Sequence, residues 1–187
     1  MSRANTKISN ALGFLSVVRD TESSRIGGLL LINASGRPLE FHCTAPVKPN
    51  RAQEILYGPT LEEYLCGEQI GHVLHAEIKV TLDLLLTDVP EMLVLRHLIG
   101  QPLVLIRDGR EASGEPGKNG GDDLAQLVRL ERDGITMATR FEYEQDLALA
   151  SEMIDSLETS LDLREPFTRI HEAIHEAQGG IRKQTAA

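Results

Sequence analysis

Gly27-Gly28-Leu29-Leu30-Leu31-Ile32-Asn33-Ala34-Ser35-Gly36-Arg37-Pro38-Leu39-Glu40-Phe41-His42-Cys43-Thr44 decides the fold class. Residues 27–33 form a nearly continuous apolar run, the signature of a strand buried on both faces. In residues 39–44, Leu39, Phe41 and Cys43 alternate with Glu40, His42 and Thr44, so this second strand covers the core with one face only. The Ser35-Gly36 turn between them closes a hairpin. Upstream, Leu12 to Val18 reads as a further strand, and downstream Ala45-Pro46-Val47-Lys48-Pro49 breaks the sheet.

Working outward from the hairpin, Pro49 opens a short helix carrying Ala52, Ile55 and Leu56, which Gly58 and Pro59 stop. Thr60-Leu61-Glu62-Glu63 has the form of a capping box, so a second helix is expected from Thr60 to about residue 76. Gly67 and Gly71 inside it point to close packing or a break. Val80–Thr87 and Pro102–Arg107 are expected strands, with a short helix over Glu91–Ile99 between them. Asp108 to Asp123, rich in glycine, reads as a loop; its Gly117-Lys118-Asn119 lacks the Ser or Thr that a phosphate-binding loop needs after Gly-Lys. Asp133-Gly134 marks another hairpin, between Leu127–Glu131 and Ile135–Phe141. Beyond Glu144 the period changes: Leu147, Ala150, Ile154, Leu157 and Leu161 form a helical seam, and a second helix opens at Pro166 with Phe167, Ile170 and Ile174.

These patterns predict an α+β fold: a mostly antiparallel sheet of about six strands, helices on one face, and a C-terminal helical hairpin. The expected organisation is a flexible N-terminus (1–11), an α+β domain (12–141) with the glycine-rich loop at 108–123, an acidic helical hairpin (142–180) and a tail (181–187).

The chain has 187 residues, 41% of them hydrophobic, enough for a sizeable core. Its 28 acidic and 19 basic residues give a formal charge of −9, and only three Tyr and four Phe are aromatic, which argues against a base-stacking platform and against general nucleic-acid binding. The charge is uneven. Residues 1–61 carry seven Arg or Lys against four acids, whereas residues 142–176 carry ten acids against two arginines. Nucleic acid is therefore not excluded for the basic N-terminal third. No apolar run approaches the roughly 18 residues of a membrane span, and the start of the chain lacks a secretory h-region, so the expected location is the cytoplasm, without membrane. In that compartment Cys43 and Cys66 read as two buried thiols.

Three groups of residues carry chemistry. His171-Glu172-Ala173-Ile174-His175 is H-E-x-x-H on a helix, a spacing that puts both imidazoles on one face where they can share a zinc, with Glu172 to polarise water. It lacks the third histidine of the extended motif, and Glu176 follows directly. Helix-flank histidines explain the pattern as well. His72, His75, Cys66 and His42 offer a second N/S set whose spacing matches no structural zinc pattern.

Asp20, followed by Arg25-Ile26-Gly27, an apolar strand and a Gly36-Arg37-Pro38-Leu39 turn, resembles the opening of the Holliday-junction-resolvase-like branch of the ribonuclease-H fold. That resemblance implies a divalent metal on Asp20 with further carboxylates from later elements, for which Asp83 and Asp88 are the nearest candidates. Glu22 stands where that family has glycine. A plain Asp-Thr-Glu-Ser-Ser turn is the alternative. Separately, Gly36-Arg37-Pro38-Leu39-Glu40-Phe41 with Lys48-Pro49 and Gln53-Glu54-Ile55-Leu56-Tyr57-Gly58 is similar to a signature of an uncharacterised bacterial protein family, and leaves Arg37, Lys48, Arg51 and Tyr57 as surface-contact candidates.

The sequence thus favours a non-catalytic binding or protein-interaction domain without cofactor, with the 144–163 helix joining a protein partner or a second copy. The alternative is a metal-dependent hydrolase, nuclease-like through Asp20 and Asp88 or zinc-peptidase-like through His171 and His175.

Overall fold

A computed structural model describes residues 11–20, 23–109, 127–157 and 161–185, with side chains described as far as residue 178. The expected strands form, in order, β1 (Leu12–Arg19), β2 (Arg25–Ile32), β3 (Pro38–Cys43), β4 (Leu84–Thr87), β5 (Leu103–Asp108), β6 (Leu127–Arg132) and β7 (Ile135–Arg140). They make one seven-stranded sheet in the order β3-β2-β1-β4-β5-β7-β6. Both hairpins are where turn chemistry puts them. Gly36 takes φ 76° at the first, and Asp133 and Gly134 take φ 49° and 79° at the second.

The sheet is mixed, not mostly antiparallel. β1 runs parallel to β4, and β4 to β5, whereas β1–β2, β2–β3, β5–β7 and β6–β7 are antiparallel. Helical connections between β3 and β4 and between β4 and β5 carry the chain back across the sheet, which permits parallel neighbours that a tight turn cannot join.

The first of these connections comprises α1 (Arg51–Tyr57), α2 (Leu61–Glu63), a π-helical stretch Tyr64–Gly71 and α3 (His72–Ala76). Asn50, not Pro49, caps α1: its side chain accepts from Gln53 N–H at 2.9 Å while Gln53 Oε1 accepts from Asn50 N–H at 3.0 Å. The capping box expected at Thr60 does not form, because the Thr60 hydroxyl donates to Tyr57 O at 2.9 Å and the helix runs on from a preceding 3₁₀ turn. The second connection is a 3₁₀ helix, Pro90–His97. The glycines of the π-helical stretch admit it: a Cβ on Gly67 would lie 2.1 Å from Val94 Cγ1, and one on Gly71 2.5 Å from Met92 Sδ.

Helices cover both faces of the sheet, not one. On one face Leu15, Leu29, Leu31, Leu85 and Leu105 meet Ile70, Leu74 and Met92 of the two connections. On the other, Leu12, Phe14, Leu30, Leu84, Leu86 and Ile106 meet α4 (Gln145–Asp155) and α5 (Glu165–Thr185). A C-terminal helical hairpin as a separate unit is not what is seen: α4 packs on β5 and β7, and α5 on β1 and β2. The seam faces the chain's own sheet, with Leu147 and Ala150 buried and Ile154, Leu157 and Leu161 packed against the same core. α4 is fixed by Asp146, which is fully buried and accepts from Arg96 Nε at 2.6 Å and from Leu103 N–H at 3.1 Å.

Cys66 is buried as expected, but Cys43 is exposed, at the end of the edge strand β3. The glycine-rich loop lies largely outside the described residues. No helix among the described residues is long and apolar enough to cross a membrane.

A Cβ added to Gly28 would lie 2.4 Å from Ile170 Cγ2 and 3.0 Å from Ile174 Cδ1. Gly28→Ala is expected to lower stability by about 1–3 kcal/mol, the usual cost of overpacking a core. Urea denaturation measures this directly; an unchanged midpoint would show that α5 is not held against β2 at this point.

Candidate functional site

The alternation of β1 puts Leu12, Phe14 and Ser16 on one face of the sheet, and the alternation of β4 puts Leu84, Leu86 and then Asp88 on the same face. Leu15 pairs with Thr87 in the parallel register, so Ser16 and Asp88, one step further along each strand, lie side by side at the C-terminal end of β4. α5 crosses above them. Phe167 and Ile170 anchor it in the core, the ring of Phe167 lying edge-on to Phe14 at 5.4 Å, and this brings His171 over the pair.

Ser16 Oγ and His171 Nε2 are 2.7 Å apart, and the same nitrogen lies 3.7 Å from Asp88 Oδ2. The Ser16 hydroxyl also lies close enough to the Asp88 carboxyl to favour its charged form. With Nε2–H as donor, His171 gives its hydrogen bond to Ser16 Oγ, which leaves the Ser16 hydroxyl hydrogen free to turn toward Asp88. Asp88 Oδ1 is buried without a hydrogen-bond partner among the described residues. Burial raises the Asp88 pKa above the ordinary aspartate value, only partly opposed by Ser16, His171 and Arg107.

The trio is not a serine-hydrolase triad. There the acid and the nucleophile occupy opposite nitrogens of the imidazole and the hydroxyl is open to substrate. Here both face Nε2, and Ser16 is fully buried.

Asp88 and His171 open onto a cavity of about 430 Å³, with Arg107 and Asp108 of β5 and Arg164 and Thr168 of the α5 region around it and Ile106 and Phe167 as apolar wall. Arg164 pairs with Asp108 at 3.1 Å and with Asp162 at 3.2 Å. The cavity thus mixes two guanidinium groups, an imidazole and a hydroxyl with two carboxylates.

The other candidate acids are elsewhere. Asp20 sits in the β1–β2 turn, where its N–H donates to Ser24 O, four residues beyond Ser16 and so about 13 Å along an extended strand. Asp83 is at the opposite end of β4 from Asp88, and its carboxylate accepts from Ala11 N–H at 3.3 Å. Strand register therefore separates all three. His175 is exposed one helical turn beyond His171 and does not line the cavity. Of the second histidine set, His42 bonds Glu40 at 2.8 Å and His75 bonds Gln101 at 2.9 Å, while Cys66 is pushed up to about 12, chiefly by burial.

A nuclease centre of the two-cation type needs several oxygen ligands converging on hard ions. Only Asp88 of the expected acids reaches this point, beside an imidazole and a hydroxyl, and Asp108 is held by Arg164. No group of three His, Cys, Asp or Glu among the described residues is placed to hold a metal ion. The described residues do not fit such a centre.

Among the surface candidates, Arg37 and Lys48 are exposed, Arg51 pairs with Glu54 at 2.9 Å, and Tyr57 stacks on Tyr64 with ring centroids 3.8 Å apart. Arg19 and Arg25, two of the seven N-terminal cations, share Glu62, and Arg19 also lies 3.7 Å from Glu91. Ser16 went unnoticed in the sequence. Its signal is a hydroxyl in the otherwise apolar 12-14-16 face of a buried strand.

Because burial raises the Asp88 pKa, ionising it opposes folding. The penalty is absent below about pH 4, where folded and unfolded forms are both protonated, and complete above the folded-state pKa. Asp88→Asn removes it. The stability of Asp88→Asn relative to the parent chain is therefore expected to rise with pH from about 4 and then level off. Urea melts across that range test this, and a difference independent of pH would show that the carboxyl is well solvated.

No protein-family model matches the chain, and no curated protein matches it in sequence. Solved structures do match. Endonuclease V from Ciona intestinalis, in its D234N form with a 23mer DNA containing an inosine followed by a ribo-adenosine, superposes with a TM-score of 0.51 at 10% identity, covering 92% of this chain and 86% of that one. The same endonuclease with a 24mer DNA superposes with a TM-score of 0.51 at 11% identity, covering 91% and 87%. At this identity the likeness is one of fold alone.

Proposed function

We propose that the protein acts on nucleic acid, receiving a strand at the Asp88–His171 cavity. The observation that carries this reading is the position of Asp88: a partly desolvated carboxyl at the C-terminal end of β4, next to β1 and beneath α5, facing a cavity, in a fold shared with an endonuclease whose structure contains DNA. Ligand sites in sheets with parallel strands lie at the carboxyl ends of those strands, which is where this cavity opens. The nuclease-like alternative is thereby preferred to a pure protein-interaction domain, and the seam of α4 supports this preference because the chain's own core already covers it.

The chemistry differs from the form expected from the sequence. Asp20 does not join Asp88, so a paired-acid metal mechanism through those two residues is not part of the proposal. What the site offers is a half-buried acid–hydroxyl–imidazole cluster with a proton-carrying nitrogen at His171 Nε2, flanked by guanidinium groups suited to a phosphodiester.

The net charge of −9 sets a condition on the test, since long-range attraction to a polyanion is weak. Labelled single-stranded DNA, duplex DNA and RNA are to be titrated with the full chain at about 50 mM salt and followed by anisotropy, in parallel with cleavage assays containing Mg²⁺ or Mn²⁺. Binding to at least one polymer is expected, weakening as salt rises. Failure to bind any of the three would sink the reading, and efficient metal-dependent cleavage abolished by Asp88→Asn would overturn the conclusion that the donor set is unsuited to metal.

A further inference from the structure

Resting on the nucleic-acid reading, we infer that this cavity takes a phosphate group directly, with Arg107 and Arg164 as its principal donors and no divalent cation between protein and phosphate. In a two-cation site the metal ions neutralise the phosphate while carboxylates hold the metal ions. Here the polarity is reversed. Two arginines line the cavity, Arg107 near the end of β5 and Arg164 just before α5, together with His171 and Thr168.

The two guanidinium groups play different parts. Arg164 is half-exposed and already engaged by Asp108 and Asp162, which fixes its position and takes up part of its charge. Arg107 is exposed and enters no ion pair among the described residues, and its charge acts on Asp88 from a distance. Arg107 is thus the group with hydrogen-bonding capacity to spare. A planar fork of this kind engages two phosphate oxygens at once, which an ammonium cannot.

The two carboxylates at the cavity do not forbid an anion. Asp108 is compensated by Arg164 at 3.1 Å. Asp88 lines the cavity beside His171, whose Nε2 lies 3.7 Å from its Oδ2, and burial raises its pKa above the ordinary aspartate value. The volume of about 430 Å³ admits a phosphate with part of an attached sugar, within the usual range for small-ligand sites.

The test uses the full chain, isotopically labelled, in EDTA. Inorganic phosphate and a short single-stranded oligonucleotide without a terminal phosphate are titrated separately while the arginine Nε–H and His171 imidazole signals are followed. Both ligands are expected to shift the Arg107 signal without Mg²⁺, and phosphate is expected to compete with the oligonucleotide. Arg107→Ala should weaken oligonucleotide binding about tenfold, the effect of losing one charge-assisted hydrogen-bonding group, with Arg107→Lys restoring it only in part. Arg51→Ala, on α1 outside the cavity, should leave binding unchanged. Oligonucleotide binding that is indifferent to Arg107→Ala and to phosphate would overturn the cavity as the phosphate site while leaving the nucleic-acid reading intact, and so would a shift that requires Mg²⁺. A phosphate-induced shift of Arg107 with no oligonucleotide binding would support the phosphate site and overturn the nucleic-acid reading.

Discussion

Both helical layers are seated through two adjacent residues of one strand. Gly27 and Gly28 of β2 point to opposite faces of the sheet: an added Cβ on Gly27 would lie 2.0 Å from Ile70 Cγ2, and one on Gly28 2.4 Å from Ile170 Cγ2. Any side chain here would lift the π-helical connection from one face or α5 from the other. The close approach matters for the site because His171 is the next residue after Ile170. The height of α5 over β2 therefore sets whether the imidazole reaches Ser16, 2.7 Å away. Arg169, one residue earlier, donates to Gly36 O at 3.3 Å and ties the same turn of α5 to the β2–β3 hairpin.

The site itself is a consequence of register. In a parallel pair, the residues that leave the core at the strand ends are fixed by which residues pair within it, and the Leu15–Thr87 pairing makes Ser16 and Asp88 neighbours. A slip of one residue would turn Asp88 to the opposite face. This is why the spacing of acids in the sequence misleads. Asp20, Asp83 and Asp88 look equally ready to converge, yet β4 has a direction and a length, and only Asp88 leaves it at the end where α5 passes. His171 drew attention through the H-E-x-x-H pattern, whose second histidine has no part in the cavity. What places His171 is its position beside the apolar stripe of α5, facing the one hydroxyl in the buried face of β1.

The elements that local chemistry specifies are those legible in the sequence. The Ser35-Gly36 and Asp133-Gly134 turns, the doubly buried β2 and the half-covered β3 follow from residues within a few positions of one another. Strand direction does not. Whether β4 runs with or against β1 depends on how far the α1–α3 connection carries the chain, and nothing in the 84–87 stretch encodes it. The two covered faces could have been suspected from Leu84-Leu85-Leu86, since a run without polar alternation must be buried on both sides. Thr60 misleads for a related reason: the capping box is a local pattern, but the chain enters α2 from a 3₁₀ turn already in helical geometry, so no helix start exists there to be capped.

Net charge is a poor guide to what this surface can bind, because much of the acidity is paired with arginines. Asp146 is buried against Arg96, Asp155 pairs with Arg132, Asp162 with Arg164 and Glu165 with Arg169. Arg19 and Arg25 likewise share Glu62, and Arg51 pairs with Glu54. Exposed pairs of this sort contribute little to stability, but they cancel one another's field beyond roughly the 10 Å screening length at 0.1 M salt. A ligand approaching the sheet therefore meets neither the basic N-terminal third nor the acidic C-terminal helices as blocks. It meets the local balance at each opening, and at the Asp88 cavity that balance is set by Arg107, the cation there without a described ion-pair partner.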